Sequence, residues 1–466
     1  MKIVTAMTGV LLLTGATMAD GPYLANGVKL ADVSQNSATV WVRLTAEPKP
    51  RKGIVLKGRV ATLPANVKVD DLQGAVPGAP GRARVRFGTK DDLSDASKTP
   101  WTPVAEERDF TREFQLAGLK AATVYHYVVE AAPPAEETVS ASLRGRFETL
   151  PPPDSETDMC FTVMTCQMFR DLDDPDGFLI YDAMAALKPK FALLTGDSVY
   201  LDNESPVANS VELTRHHWRR MYSLPRLVRF HLQVPGYWQK DDHDTHSDDC
   251  WPTKQVPRMA PLTYEQGLQV FGEHVPAPKR LYRTVRWGRH LEVWLVEGRD
   301  YRSPNDMPDG PDKSIWGAEQ KAWLKKTLLA SNATFKILVS PTPIVGPDRA
   351  RKADNHSNKA FAHEGNEIRQ WFKEHLPRNF MVFCGDRHWQ YHSVDPATEV
   401  QEFDCGPASD EHAGGTPGLD PSYHRFHRVK GGFLSTIVQR IDNRPHLTVR
   451  LHDVRGQVVY ERQFEQ

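Results

Sequence analysis

Four short segments of this chain combine carboxylate, imidazole, thiol and phenol side chains at spacings suited to binding cations. They are Thr165-Cys166-Gln167, the stretch from Gly196 through Asp197 and Tyr200 to Asp202, Asp241-Asp242-His243-Asp244, and Gly385-Asp386-Arg387-His388. Carboxylate oxygens suit hard ions such as calcium, whereas thiolate, phenolate and imidazole suit a transition-metal ion. Three carboxylates around His243 repel one another unless a cation sits among them. Asp197 is placed to bridge two cations and be neutralised by them. Asp386 and His388 stand at i and i+2, so on an extended chain both point to one side. Arg387 between them can hold phosphate oxygens through paired N–H donors. A polynuclear metal site with an unligated histidine points to phosphoester hydrolysis.

Each segment follows an apolar run, at 161–164, 191–195, 231–238 and 380–384. Strand tips of an open α/β sheet are where ligands bind, so the runs are expected to be strands that deliver the four segments to one place. The first two runs, with a helical pattern at 177–187 between them, form a βαβ unit. Further helices are expected at 211–223, 317–329 and 363–376, and a buried strand at 335–340. Residues 282–296 read as a hairpin turning at Trp287-Gly288-Arg289, and 433–464 as a strand meander. The expected class is α/β (α+β), with two central sheets flanked by helices. Before it, residues 20–150 look all-β. Val40, Val42 and Leu44 alternate with Trp41 and Arg43, and Ala83, Val85 and Phe87 alternate with arginines. The stretch from Leu119 to Tyr127 is similar to the tyrosine corner of fibronectin-type sandwiches. Pro151-Pro152-Pro153 opens a stiff linker, 151–157, and 158–466 forms the second domain.

The formal net charge is −1 over 466 residues, which gives no basic field for nucleic acid or membrane surfaces. Lys2, the apolar run 3–13 and the small residues Thr17-Met18-Ala19 read as a Sec-type signal peptide spanning 1–19, which implies a secreted or periplasmic protein. No later apolar stretch approaches 18 residues, so the mature chain is not expected to span a membrane. Of the five cysteines, Cys160 and Cys384 read as core thiols, and Cys250 and Cys405 lie in loop-like sequence where a disulfide is open. Cys166 differs in following a strand, as the other motif residues do.

Together the four motifs resemble the alkaline phosphatase D (PhoD-like) family of the metallophosphoesterase superfamily. The family's S/T-C-Q, G-D-x-x-Y-x-D, D-D-H-D/E and G-D-x-H stand here as Thr165-Cys166-Gln167, Asp197-x-x-Tyr200-x-Asp202, Asp241-Asp242-His243-Asp244 and Asp386-x-His388. Gly298-Arg299-Asp300-Tyr301-Arg302 adds to the match. The resemblance implies a ferric ion held by Cys166, Asp197, Tyr200 and His388. One or two calcium ions would be held by Asp197, Asp242 and Asp386, with other divalent metals as substitutes. It implies His243 and Arg387 as catalytic residues, and Asn203 and Arg299 on the substrate side. The leading β-sandwich is also a family trait.

The expected activity is that of an exported alkaline phosphatase or phosphodiesterase, with in-line attack on the phosphorus of a phosphoester by a metal-activated hydroxide. Alternatives are a phosphodiesterase specific for lipid or cell-wall polymer diesters, and a non-catalytic surface-binding protein that keeps metals for structure. The leader reading predicts that exported protein begins at Asp20. Intact-mass measurement should show loss of residues 1–19, and retention of Met1 would exclude it.

Overall fold

In the computed structural model, residues 21–278 and 280–465 are described, so the leader segment 1–19 lies outside them. A nine-stranded sheet runs Val458–Glu465, Arg444–His452, Phe433–Ile441, Met159–Met164, Ala192–Leu194, Gly236–Trp238, Val28–Ala31, Ser37–Arg43, Thr111–Ala117. A seven-stranded sheet runs Arg283–Trp287, Leu291–Leu295, Phe335–Ser340, Met381–Cys384, Gln401–Cys405, Gln390–Val394, His424–Arg428. Their inner faces share one core, in which Phe161 stacks on Phe191 at 5.0 Å and lies 6.3 Å from Phe383. Helices cover the outer faces. Trp218 of helix Val211–Met221 and Phe271 of helix Tyr264–His274 pack in one cluster with Leu194 and Trp238. Leu324 of helix Gly317–Ala330 and Phe372 of helix Ala362–His375 pack with Leu338 and Val382. Phe335–Ser340 is buried at every position, because a central parallel strand is covered on both faces.

Three of the strands that carry the motifs are parallel neighbours in the nine-stranded sheet, and the fourth is a parallel strand of the seven-stranded sheet. Ala192–Leu194 pairs with Met159–Met164 on one side and Gly236–Trp238 on the other. Met381–Cys384 lies between Phe335–Ser340 and Gln401–Cys405. Parallel pairing puts their carboxyl ends on one edge, which is why residues far apart in sequence meet there. The third apolar run splits. His231 ends the helix Pro225–His231, and the strand proper is only Gly236–Trp238.

Residues before the linker contribute to two sheets. Val28–Ala31, Ser37–Arg43 and Thr111–Ala117 extend the nine-stranded sheet, through a parallel pairing of Ala31 with Gly236. The facing sheet holds Ser97–Lys98, Arg82–Gly88, Val124–Ala132 and Ala141–Glu148, with Thr102–Pro103 at its side. The tyrosine corner is present, with the Lys120 N–H donating to Tyr125 Oη at 2.9 Å. Cross-links to the rest of the chain are buried. Tyr237 donates to the Val33 carbonyl at 2.7 Å, and Trp41 Nε1 to the Glu273 carbonyl at 2.8 Å. Asp109 accepts from Arg43 Nη2 at 3.0 Å and from Arg219 Nε at 2.7 Å. Among the described residues no helix is long and apolar enough to cross a membrane. All five cysteines are unpaired. Cys250 and Cys405 are both buried, and Cys405 ends a strand where loop had been expected.

Asp109→Ala should therefore be costly, because it leaves two buried guanidinium groups without their shared counter-charge. A loss of about 3–5 kcal/mol in denaturant unfolding is expected, and a loss under 1 kcal/mol would show that the network holds nothing together.

Candidate metal centre

Three residues just past strand ends, Cys166, Asp197 and Asp386, adopt left-handed backbone with φ of 51°, 54° and 70°. Such conformations cost about 1–3 kcal/mol each and cluster at functional sites. They turn the side chains of three loops inward. Gly196 permits the closest approach: its φ is +110°, and a Cβ there would lie 2.6 Å from the Cβ of Asp241. Asp244 braces the same loops. Its carboxylate accepts from the backbone N–H groups of Asp197 at 2.8 Å, Ser198 at 2.7 Å and Asp241 at 2.8 Å.

The side chains then fall into adjoining groups. Cys166, Asp197 and His388 each bring a ligand atom within 4.8 Å of the others, and so do Asp197, Asp241 and Asp386. Asp197 belongs to both groups, as expected for a bridging carboxylate. Its Oδ2 lies 3.3 Å from Cys166 Sγ and 3.2 Å from Tyr200 Oη, which is 3.4 Å from His388 Nε2. Asp242 groups with Asp197 and His243. Its oxygens accept from the N–H groups of His243 at 2.9 Å and Asp249 at 2.5 Å.

These residues fit a cation. Asp197 Oδ1 and Asp241 Oδ2 are buried with no hydrogen-bond partner. Burial, with the charge of Asp242 adding to it, holds Asp197 well above the usual carboxylate range. Burial lifts Asp241 to about 7 in spite of Arg299 beside it. Burial and the neighbouring Asp197 likewise raise the Cys166 thiol and the Tyr200 phenol. Acids packed this way stay protonated unless a positive ion replaces their protons. Burial and the nearby His412 keep His388 neutral, the form that binds metals.

His243 sits beside these groups, its ring centroid 4.3 Å from that of Tyr200. Its Nδ1 is 2.5 Å from Asp202 Oδ1. Burial disfavours its charge, but Asp202, Asp242 and Asp197 outweigh burial and raise it well above its usual value. Arg387 is fully buried, touching Asp386 and ion-paired with Asp348 at 2.6 Å. Arg299, expected on the substrate side, is also fully buried. It pairs with Asp241 and lies 3.4 Å from Asp354 and 3.6 Å from Asp242, as the counter-ion behind the carboxylates. Asn203 lies half-buried beside Asp202, its carbonyl accepting from Arg170 Nη1 at 3.1 Å. Sequence reasoning gave no individual role to Asp241, Asp202 or Asp244, and none at all to Asp171 or His412. The first three lie inside the motifs, so the acidic pattern was the available signal. His412 lies 3.0 Å from Tyr200 Oη.

Two β-sheets packed face to face between helices, with acidic and imidazole side chains meeting at their strand ends, define a metallophosphoesterase fold. The family model for PhoD-like phosphatase matches residues 161–461, and that for the PhoD-like phosphatase N-terminal domain matches 13–151. The chain belongs to the PhoD-like phosphatase family. It is 22% identical over 416 residues to alkaline phosphatase D of Bacillus subtilis (strain 168), covering 78% of this chain and 64% of that relative's length. Among solved structures, one of PhoD superposes with a TM-score of 0.75 at 15% identity, covering 97% of this chain and 92% of that one. Purple acid phosphatase PPD1 from yellow lupin seeds superposes with a TM-score of 0.64 at 12% identity, covering 94% and 74%.

The brace is testable apart from any chemistry. Asp244→Ala leaves several buried N–H groups without an acceptor, so it should cost about 3 kcal/mol or more in unfolding free energy. Unchanged stability would mean that the loops hold their shape without it.

Proposed function

We propose that this chain is an exported, metal-dependent phosphoester hydrolase of the alkaline phosphatase or phosphodiesterase type. The observation that carries the proposal is the sharing of Asp197 between a Cys166–His388 group and an Asp241–Asp386 group, with the Asp202–His243 pair alongside. Thiolate, phenolate and imidazole from Cys166, Tyr200 and His388 suit a ferric ion, and the carboxylates of Asp197, Asp241, Asp242 and Asp386 suit calcium. When bound, such ions polarise phosphoryl oxygens and lower the pKa of water.

The remaining roles belong to the chain itself. Asp202 accepts from Nδ1–H of His243, orients the ring and favours its imidazolium form, so that Nε2–H can donate to a phosphoryl oxygen or to the leaving group. Arg299 keeps Asp241 in place from behind. Arg387 supplies positive charge beside Asp386, held there by Asp348. Export rests on the leader-like sequence of residues 1–19.

Asp197→Ala should abolish both metal content and ester hydrolysis. His243→Ala should keep its metal while losing roughly 10²-fold or more in rate. Elemental analysis and a panel of chromogenic mono- and diesters read both outcomes, and the panel also fixes the ester class. Metal-loaded protein inactive on every ester, or His243→Ala losing metal as readily as Asp197→Ala, would overturn this assignment.

A further inference from the structure

His412 stands outside the four motifs, in the loop after strand Gln401–Cys405. Main-chain contacts tie that loop to the two loops carrying Cys166 and His388. Pro407 forms a parallel bridge with Thr165. The Ala408 N–H donates to the Cys166 carbonyl at 3.1 Å, and the Gly414 N–H to the His388 carbonyl at 2.9 Å. Asp410 accepts from the Gly431 N–H at 2.9 Å, which fixes the loop on its other side. The position of His412 is therefore built from the same backbone as the metal centre.

Its side chain is 7% exposed, and Nδ1 lies 2.8 Å from Oδ2 of Asp171. A carboxylate there accepts a hydrogen bond from Nδ1–H and leaves the lone pair on Nε2, the arrangement that ligating histidines commonly show. That Nε2 lies 3.0 Å from Tyr200 Oη and 3.2 Å from His388 Nε2. Tyr200 has one phenolic proton and three acceptors within reach: Asp197 Oδ2 at 3.2 Å, His388 Nε2 at 3.4 Å and His412 Nε2 at 3.0 Å. Two imidazole nitrogens aimed at one phenol and at each other make a poor hydrogen-bond chain. They suit ligands that converge on a shared ion.

We propose that His412, oriented by Asp171, is a fifth protein ligand of the cation held by Cys166, Asp197, Tyr200 and His388. This rests on the metal-centre reading above and adds to it. Cysteine, aspartate and tyrosine supply three negative charges, which match a trivalent ion. A second neutral imidazole leaves that balance unchanged.

The test compares wild type, His412→Ala, Asp171→Asn and Asp197→Ala, purified without chelator. Thermal unfolding checks folding, elemental analysis counts metal, titration with a graded chelator gives relative affinity, and the visible spectrum reports charge transfer to the ion. His412→Ala should weaken metal retention by roughly 10–100-fold or more and shift the visible band; Asp171→Asn should move both the same way by less. Asp171→Asn changes little volume, so it carries the test should His412→Ala not fold. If both variants keep wild-type affinity and spectrum while Asp197→Ala loses metal, the proposal is overturned and the metal centre stands. A folded wild type that takes up no metal overturns both.

Discussion

Like charges forced together out of water set the terms for the whole strand-end region. Asp197, Asp241 and Asp386 each bring an oxygen within 4.8 Å of the others, at positions hardly exposed to solvent. Such a cluster persists only if cations are close and the backbone cannot relax away. The protein meets both needs. Arg299 stands behind Asp241 and Arg387 beside Asp386, each fixed in turn by Asp354 or Asp348. The backbone is held by Asp244, by the absence of a side chain at Gly196, and by parallel strands that end side by side. The left-handed turns at Cys166, Asp197 and Asp386 are then tolerated because everything around them is fixed.

Much of this was legible in the sequence because it depends on local patterns. The run FKILVS marks a strand buried on both faces, and the strand is Phe335–Ser340. Glycine followed by aspartate after an apolar run marks a strand-end turn, as at Gly196-Asp197 and Gly385-Asp386. The 231–238 run misled in part, because helix and strand patterns look alike in short apolar segments. His231 closes a helix, and only Gly236–Trp238 pairs.

What stayed hidden depends on distant partners. Nothing near Asp241 and Asp242 says which carboxylate groups with Asp386, and nothing there points to Arg299, which pairs with Asp241 from 58 positions away. Arg299, put on the substrate side by the family resemblance, is completely buried and pairs with Asp241. His412 follows no strand directly and lies in a glycine-containing loop, so its neighbourhood with Tyr200 and His388 exists only in three dimensions.

The parallel pairing of Ala31 with Gly236 carries a mechanical consequence. Two-domain enzymes often open and close by rigid rotation about a linker, on microsecond to millisecond timescales. Here the sheet itself crosses between the parts, and the strand Gly236–Trp238 that receives Ala31 also leads into Asp241. A rotation of the leading β-region would shear the ladder that aims the third motif. The region before the linker thus acts on the third motif as a splint.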